Sequence, residues 1–579
     1  MSEEYFASLI AKARNARSPE AIATLLKPVL FEFSTEFNHY LERLLAVTSA
    51  ESSAARTLKL IAKVWQNLKI TNQREIQLRA FIRELAVASE QERPLHLLSG
   101  MDPNGELALT DHEFQQLITL LERRDDASLT PFIDGLRHGL ATYLQMEPTL
   151  LDWLYEQPGS LGFVKTGPWG YWARKIPGGP VRLLFESLER GEPAGQFFQD
   201  GGPDVATWVE LTVLMRRIER HLIRSFENRF PNLTTQARTS ILTSTFLTFA
   251  IFWADFARAL VRAPHLAPAS FQNALQVLRA FASRSYFPLY GGLLAVFDGP
   301  YLRAALSYLG EPLRAMDAGE GRARLEKARV LNLLGYTCRY LGDNQRSIEL
   351  HREALQNFEG LSDSHVTVAN LVNLGSTYIR LREFETAIGL CERALVYARQ
   401  DGDRAGEVHA LVTLGNAHSR QLQFREVLEP EAYTRAENYL QQGLEQSRTL
   451  KEQAAEVAAL SGLGAMRLFV GQHREAIPLL EQSLNLARAQ GDLWWEGTSR
   501  TYLAEALYGL ESYGQSAVQA AIATVVLERL GSKDWRQPAG LLSILRSRLA
   551  EAFTGILEQS VGPDGLERVL ELLKHYGES

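Results

Sequence analysis

At 579 residues and 64.9 kDa the chain is too long for one ordinary hydrophobic core and fits roughly three or four domains. Its 46% hydrophobic and 22% charged residues exclude wholesale disorder and fibrous architectures. With 61 basic and 68 acidic residues the net charge is −7, so no global electrostatic attraction to nucleic acid exists and none is expected as a partner. Two cysteines, Cys338 and Cys391, can neither build a disulfide framework nor complete a structural zinc site, which points to a reducing compartment.

The opening stretch, MSEEYFASLIAKARNARSPE, is amphipathic and acidic at its tip and carries no apolar targeting core. The greasiest run, Phe246 to Trp253, is far shorter than the about 20 apolar residues of a membrane span and reads as a core helix. Cytoplasmic residence without a transmembrane segment is therefore expected. Residues 1–157 read as a domain of amphipathic helices. Leu58, Ile61, Val64, Trp65 and Leu68 share one face of a helix, and Thr110-Asp-His-Glu113 is a capping box opening the next apolar run. Asp102 to Glu113 approaches a calcium-loop spacing, but its glycine stands fourth rather than sixth, so Pro103-Asn104-Gly105 reads as a turn between helices.

Residues 158–203 form a connecting segment that concentrates ten of the 42 glycines and six of the 22 prolines, which disfavours regular helix in its first half. Trp169, Tyr171 and Trp172 lie beside Lys165, Arg174 and Lys175. Two readings stand. Aromatics next to cations suit a second contact surface, for a partner protein or a peripheral membrane contact, whereas large aromatics also plug crevices between helical layers. Lys165-Thr166 is no phosphate loop, because the required glycine precedes neither residue.

Residues 204–319 return to helix. Asp204 to Phe230 buries Trp208, Leu211, Met215, Ile218 and Leu222, with Arg217, Arg220 and Arg224 on another face read as a solvated stripe. Thr239 to Val261 and Phe271 to Ala282 are further core helices. Tyr301 to Met316 reads as the second helix of a degenerate repeat whose glycine is Gly292.

The second half is periodic. A glycine after an apolar residue recurs at Gly335, Gly375, Gly415 and Gly464, with Ala504 in a fifth unit, at steps of 40, 40, 49 and 40 residues. The long step holds nine extra residues near Val427 to Arg435. Small residues recur twelve and nineteen positions on, once the extra residues of the third unit are subtracted: Ser347 and Ala354, Ala387 and Ala394, Ala436 and Gly443, Ala476 and Ser483, Ser516 and Ala523. Each unit thus holds two apolar-faced helices that approach closely where side chains are small. Residues 320–532 hold about five such units, and 533–579 read as capping helices. The whole chain is all-α.

This pattern resembles the tetratricopeptide repeat. The 40-residue period is similar to the variant of LGN/Pins-type adaptors and kinesin light chains, and Ala398 to His418 is similar to an LGN-type inter-repeat joint. Cys338, His418, Arg467 and Leu507 stand where the family places Tyr, and Leu422 and Arg382 where it places a helix-end Gly. The resemblance implies a superhelical solenoid whose first helices line a peptide groove. Carried onto this sequence, the groove positions are Asn332, Tyr336, Arg339 and Tyr340, then Asn373, Ser376 and Arg380, then Asn416 and Arg420, then Met466 and Phe469. Asn pairs with an extended backbone and Arg with carboxylates, so the implied ligand is an extended or acidic segment of a client protein, with an apolar anchor near Phe469.

Chemistry is sparse beside this. No HExxH, GxSxG or GxGxxG occurs, and the twelve histidines are scattered, so no catalytic residues, metal site or cofactor are assigned. Asp401 and Asp403 read as helix caps, and the two cysteines as repeat-core residues. A non-enzymatic scaffold, adaptor or assembly factor is the leading expectation. A peptide- or ligand-gated signalling regulator and an enzyme in the N-terminal half are the alternatives.

Overall fold

The computed structural model describes residues 3–16, 18–48, 52–156, 168–194, 202–228, 235–291, 322–358 and 364–578, with Leu306 and without 104, 106, 125, 261, 262, 264, 427 and 428. Lys165, Gly292 and nearly all of the expected degenerate repeat at Tyr301 to Met316 lie outside these residues. Among the described residues the chain is all-α, with no strand. It forms two compact units that do not follow chain order. One comprises 1–148, 198–218 and 257–272; the other comprises 149–197, 219–256 and 273–579.

The first unit is an irregular helical assembly. The helix Ser53–Thr71 starts where Ser52 accepts the amide of Ala55, and its Leu58, Ile61 and Trp65 join Phe6, Leu26 and Phe37 in one core. The helix Asp111–Glu122 starts at the full capping box of Thr110 and Glu113. Glu113 is also gripped by Arg74, at 2.6 and 2.8 Å, while Arg74 donates to the carbonyls of Leu107 and Ala108. The stretch with calcium-loop spacing is thereby committed to holding two helices together. On the helix Val205–Asn228 the expected basic stripe is not one solvated face. Arg217 is buried, pairs with Asp111 at 2.6 Å and lies over the Phe114 ring, whereas Arg224 is exposed. An arginine charge this far inside is tolerable because a carboxylate and a ring face replace its water.

Among the described residues one helix, Ala237–Ala259, is long and apolar enough to cross a membrane by length and composition; 94% of its apolar window is buried in the fold. It is longer than the eight-residue apolar run suggested, because Thr and Ser residues extend the buried surface.

The second unit carries the repeats. Five helical hairpins follow one another: Arg322–Tyr340 with Asn344–Phe358, Ser364–Arg380 with Phe384–Asp401, Arg404–Arg425 with Pro430–Leu450, Gln453–Phe469 with His473–Gln490, and Leu493–Gly509 with Tyr513–Arg529. The periodic glycines sit where paired helices nearly touch. A Cβ on Gly375 would stand 2.8 Å from Cys391 Sγ, and one on Gly415 2.7 Å from Leu440 Cγ. The nine extra residues of the third unit lengthen its helices to 22 and 21 residues. That extension also carries the helix past Leu422, so Glu426 takes the left-handed turn (φ 53°), whereas Arg382 (φ 63°) occupies the position expected of it. Core clusters join each repeat to its sequence neighbours, as stacking of otherwise unsupported hairpins requires. Beyond them, Arg536–Leu549 and Ala552–Glu578, the latter kinked at Gly562, cover the last hairpin through Leu542, Leu545, Phe553 and Leu557. Cys338 and Cys391 are buried and unpaired, and burial pushes both thiols up to about 12.

Candidate functional site

The first helices of the first three repeats turn a shared set of positions inward. Counted from the periodic glycine, the fourth and fifth residues supply Arg339 and Tyr340, Ile379 and Arg380, then Ser419 and Arg420. The first residue after it supplies Ser376 and Asn416. Repeats four and five contribute the smaller Ala458, Ser461 and Ala465, and the larger Trp494, Trp495 and Tyr502. Together these line a cavity of about 900 Å³, within the size range of specific ligand sites.

Its guanidinium groups have different surroundings. Arg339 is buried, donates to the carbonyl of Asn373 at 2.9 Å and lies over the rings of Tyr336 and Tyr340. Arg380 makes a two-pronged pair with Asp534, both contacts at 2.9 Å. Arg420 has no carboxylate within ion-pair distance among the described residues. Its guanidinium lies over the Tyr502 ring at 5.3 Å and donates once, to Gln423 Oε1 at 3.2 Å. Burial lowers its pKa, with Glu505 and Asp534 acting against that from farther away. Asn416 lines the same cavity and makes no side-chain hydrogen bond among the described residues. Asn344 lines it too, with its side-chain oxygen buried and unpartnered among the described residues. The cavity therefore holds a half-buried cation and two amides with unused capacity, beside aromatic walls.

The residues expected to line a peptide groove divide in three. Tyr340, Arg339, Ser376, Arg380, Asn416 and Arg420 come together at the cavity. Asn332 and Asn373 do not: both are buried, and both donate to the carbonyl of Leu289, at 2.8 and 3.1 Å. They grip a backbone carbonyl, but it is the chain's own, from the stretch Phe287 to Gly291, with Tyr290 stacked 3.8 Å from the His409 ring. Tyr336 is buried behind Arg339 and Tyr340. Met466 belongs to the core between the third and fourth repeats, and Phe469, half-buried, is not among the cavity residues. A helix presents about one residue in three to any one neighbour, so shifting the register by two or three positions moves a side chain from cavity to core.

The expected second contact surface fails for its aromatics. Trp169, Tyr171 and Trp172 are 6%, 7% and 0% exposed. Trp172 Nε1 donates to the carbonyl of Leu150, and Trp169 packs against Trp172, Phe185 and Phe249. They plug the fold, as the second reading of that segment held. Arg174 and Lys175 are exposed and lie over the Tyr171 ring.

Sequence reasoning missed Trp494, Tyr502, Gln423 and Asp534. Trp494 and Tyr502 precede Ala504, outside the register that follows each periodic position, so the period did not point to them. Asp534 follows the last hairpin, at a turn whose place across the cavity no periodicity encodes. Among the described residues no three His, Cys, Asp or Glu side chains are arranged to hold a metal.

Residues 371–405 and 459–493 match the family model of the tetratricopeptide repeat. The hairpins are tetratricopeptide repeats. The matched stretches cover the second and fourth tetratricopeptide hairpins, and the match does not single out the LGN/Pins or kinesin-light-chain variants. No curated protein matches the chain. Among solved structures, the crystal structure of yeast Tom70 aligns with 97% of this chain and 100% of that chain, at 12% identity and a TM-score of 0.31, a likeness too distant to carry an inference.

Proposed function

We propose that the protein is a non-enzymatic adaptor or assembly factor whose tetratricopeptide cavity holds an acidic segment of a client protein. The observation that carries this reading is Arg420: a guanidinium lining a cavity, stacked on Tyr502, with no carboxylate partner among the described residues. Unused donors on such a group match a carboxylate in geometry and charge. Asn416 beside it suits a backbone or amide contact. Cytoplasmic residence belongs to the same proposal, supported by two unpaired cysteines in a chain of this length. The buried tryptophans give no support to a membrane contact, and the net charge of −7 gives none to nucleic acid.

Affinity capture with the full chain tests the reading, repeated with Arg420→Ala and with Arg174→Ala as a surface control. Clients held through the cavity should drop about tenfold or more in the Arg420 variant, the size of one charge-assisted contact, and stay unchanged in the control. Identical catches from all three proteins would remove the cavity from the mechanism.

A further inference from the structure

The cavity is not an open trough. Asp534, beyond the fifth repeat, reaches Arg380 of the second with two contacts of 2.9 Å, and accepts Trp494 Nε1 at 2.9 Å with the same carboxylate. Arg380 also lies 5.8 Å from the Trp494 ring centre, and Trp494 meets Tyr340 of the first repeat edge-on at 4.5 Å. Lys533 packs beside Gly342. These contacts join the first two repeats to the last one, about 154 residues apart in sequence for the ion pair.

What surrounds the junction is thin. The described core clusters link only sequence neighbours: repeats one to three, three to four, four to five, and five to the capping helices. None spans from the first or second repeat to the fifth. The ion pair keeps partial water access, its side chains 20% and 32% exposed. A junction with a small apolar contact and a hydrated charge pair opens at lower cost than the stacked interfaces on either side.

Its chemistry is also that of the ligand proposed above. Asp534 presents to Arg380 and Trp494 what an acidic client side chain would present to Arg420. We propose that the contact is a clasp, holding the cavity shut until an acidic partner group takes Arg380 from Asp534. This rests on the reading of the cavity as an acid-binding site and adds how entry is controlled. Both native cysteines are buried, so introduced cysteines can be labelled selectively.

The test uses the full chain with nitroxides on Gln345→Cys and Arg536→Cys, both exposed, on either side of the junction. The wild-type clasp should give one narrow, short distance. Asp534→Asn and Arg380→Gln should lengthen and broaden it, as should wild-type protein in about 1 M salt, where screening acts within about 3 Å. The exchange Arg380→Asp with Asp534→Arg should restore the narrow distance, which a merely misfolded variant could not do. Distances unchanged by the variants and by salt would overturn the clasp and leave the acid site standing. A labelled hexaglutamate peptide supplies the second arm. It should bind Asp534→Asn roughly tenfold more tightly than wild type, since the closed fraction no longer opposes it. Equal affinities would overturn the competition. No binding to any of these proteins would remove the acid-site reading itself, and this proposal with it.

Discussion

His351 shows how a single position can tie the repeats to pH. Its ring is buried beneath Gly335, Nδ1 donates to Asn370 Oδ1 at 2.9 Å, and Nε2 has no partner. Burial holds its pKa down at about 3, from an ordinary 6.5. A base whose folded pKa is depressed contributes stability that is fully present above its unfolded pKa and is lost as pH falls through the folded one. Between pH 6.5 and about 3 the folded protein should therefore lose up to about 1.4 kcal/mol per pH unit from this residue. Urea unfolding at several pH values checks this: His351→Gln should flatten the acid limb, and an unchanged slope would exclude the histidine as its source. The same scale separates Asn332 and Asn373 from Asn416. All three read alike in sequence as polar residues on a first helix, yet the first two are spent on Leu289 and only the third is left for a ligand.

At the scale of the helix pair, the periodic glycines matter for what they leave out. A Cβ on Gly415 would meet Leu440 Cγ at 2.7 Å and the Leu440 backbone nitrogen at 3.0 Å. Backbone cannot swing aside as a side-chain tip can, so Gly415→Ala should destabilise the protein by about 1–3 kcal/mol. Gly389, on a second helix, has nothing within 4 Å of its Cβ position. There the same change should stabilise by about 0.5–1 kcal/mol, through helix propensity alone. Thermal unfolding of the two variants should move in opposite directions; a shared sign would mean that propensity or crowding dominates at both sites. The small pairs that recur on the second helices, from Ser347 and Ala354 to Ser516 and Ala523, obey the same logic, and all are buried.

For the repeat array as a whole, stability is a sum over neighbouring interfaces, so its ends depend on what covers them. Leu542, Leu545, Phe553 and Leu557 seal the fifth hairpin against water. Ending the chain after Gly531 should expose Ala517 and Ala521 and remove Asp534 as well. Hydrogen exchange should then show early loss of protection in 493–529, with the second and third hairpins still protected. Uniform loss throughout would mean that the array folds as one unit and has no weak end.

Helical class, period, hairpins and the reason for their small residues are legible in the residue order, because these depend on contacts between segments a few tens of residues apart that repeat in register. The family resemblance further placed Arg339, Arg380 and Arg420 on the inner side of the first helices. Tertiary structure alone decided which of these charges was free. Arg380 meets Asp534 across the cavity, Asn332 and Asn373 meet Leu289 from outside the repeats, and Trp169 and Trp172 turn into the fold. Each of those outcomes rests on a non-repeating partner brought close by the curvature of the stack or by chain folding back, and a period carries no record of such partners.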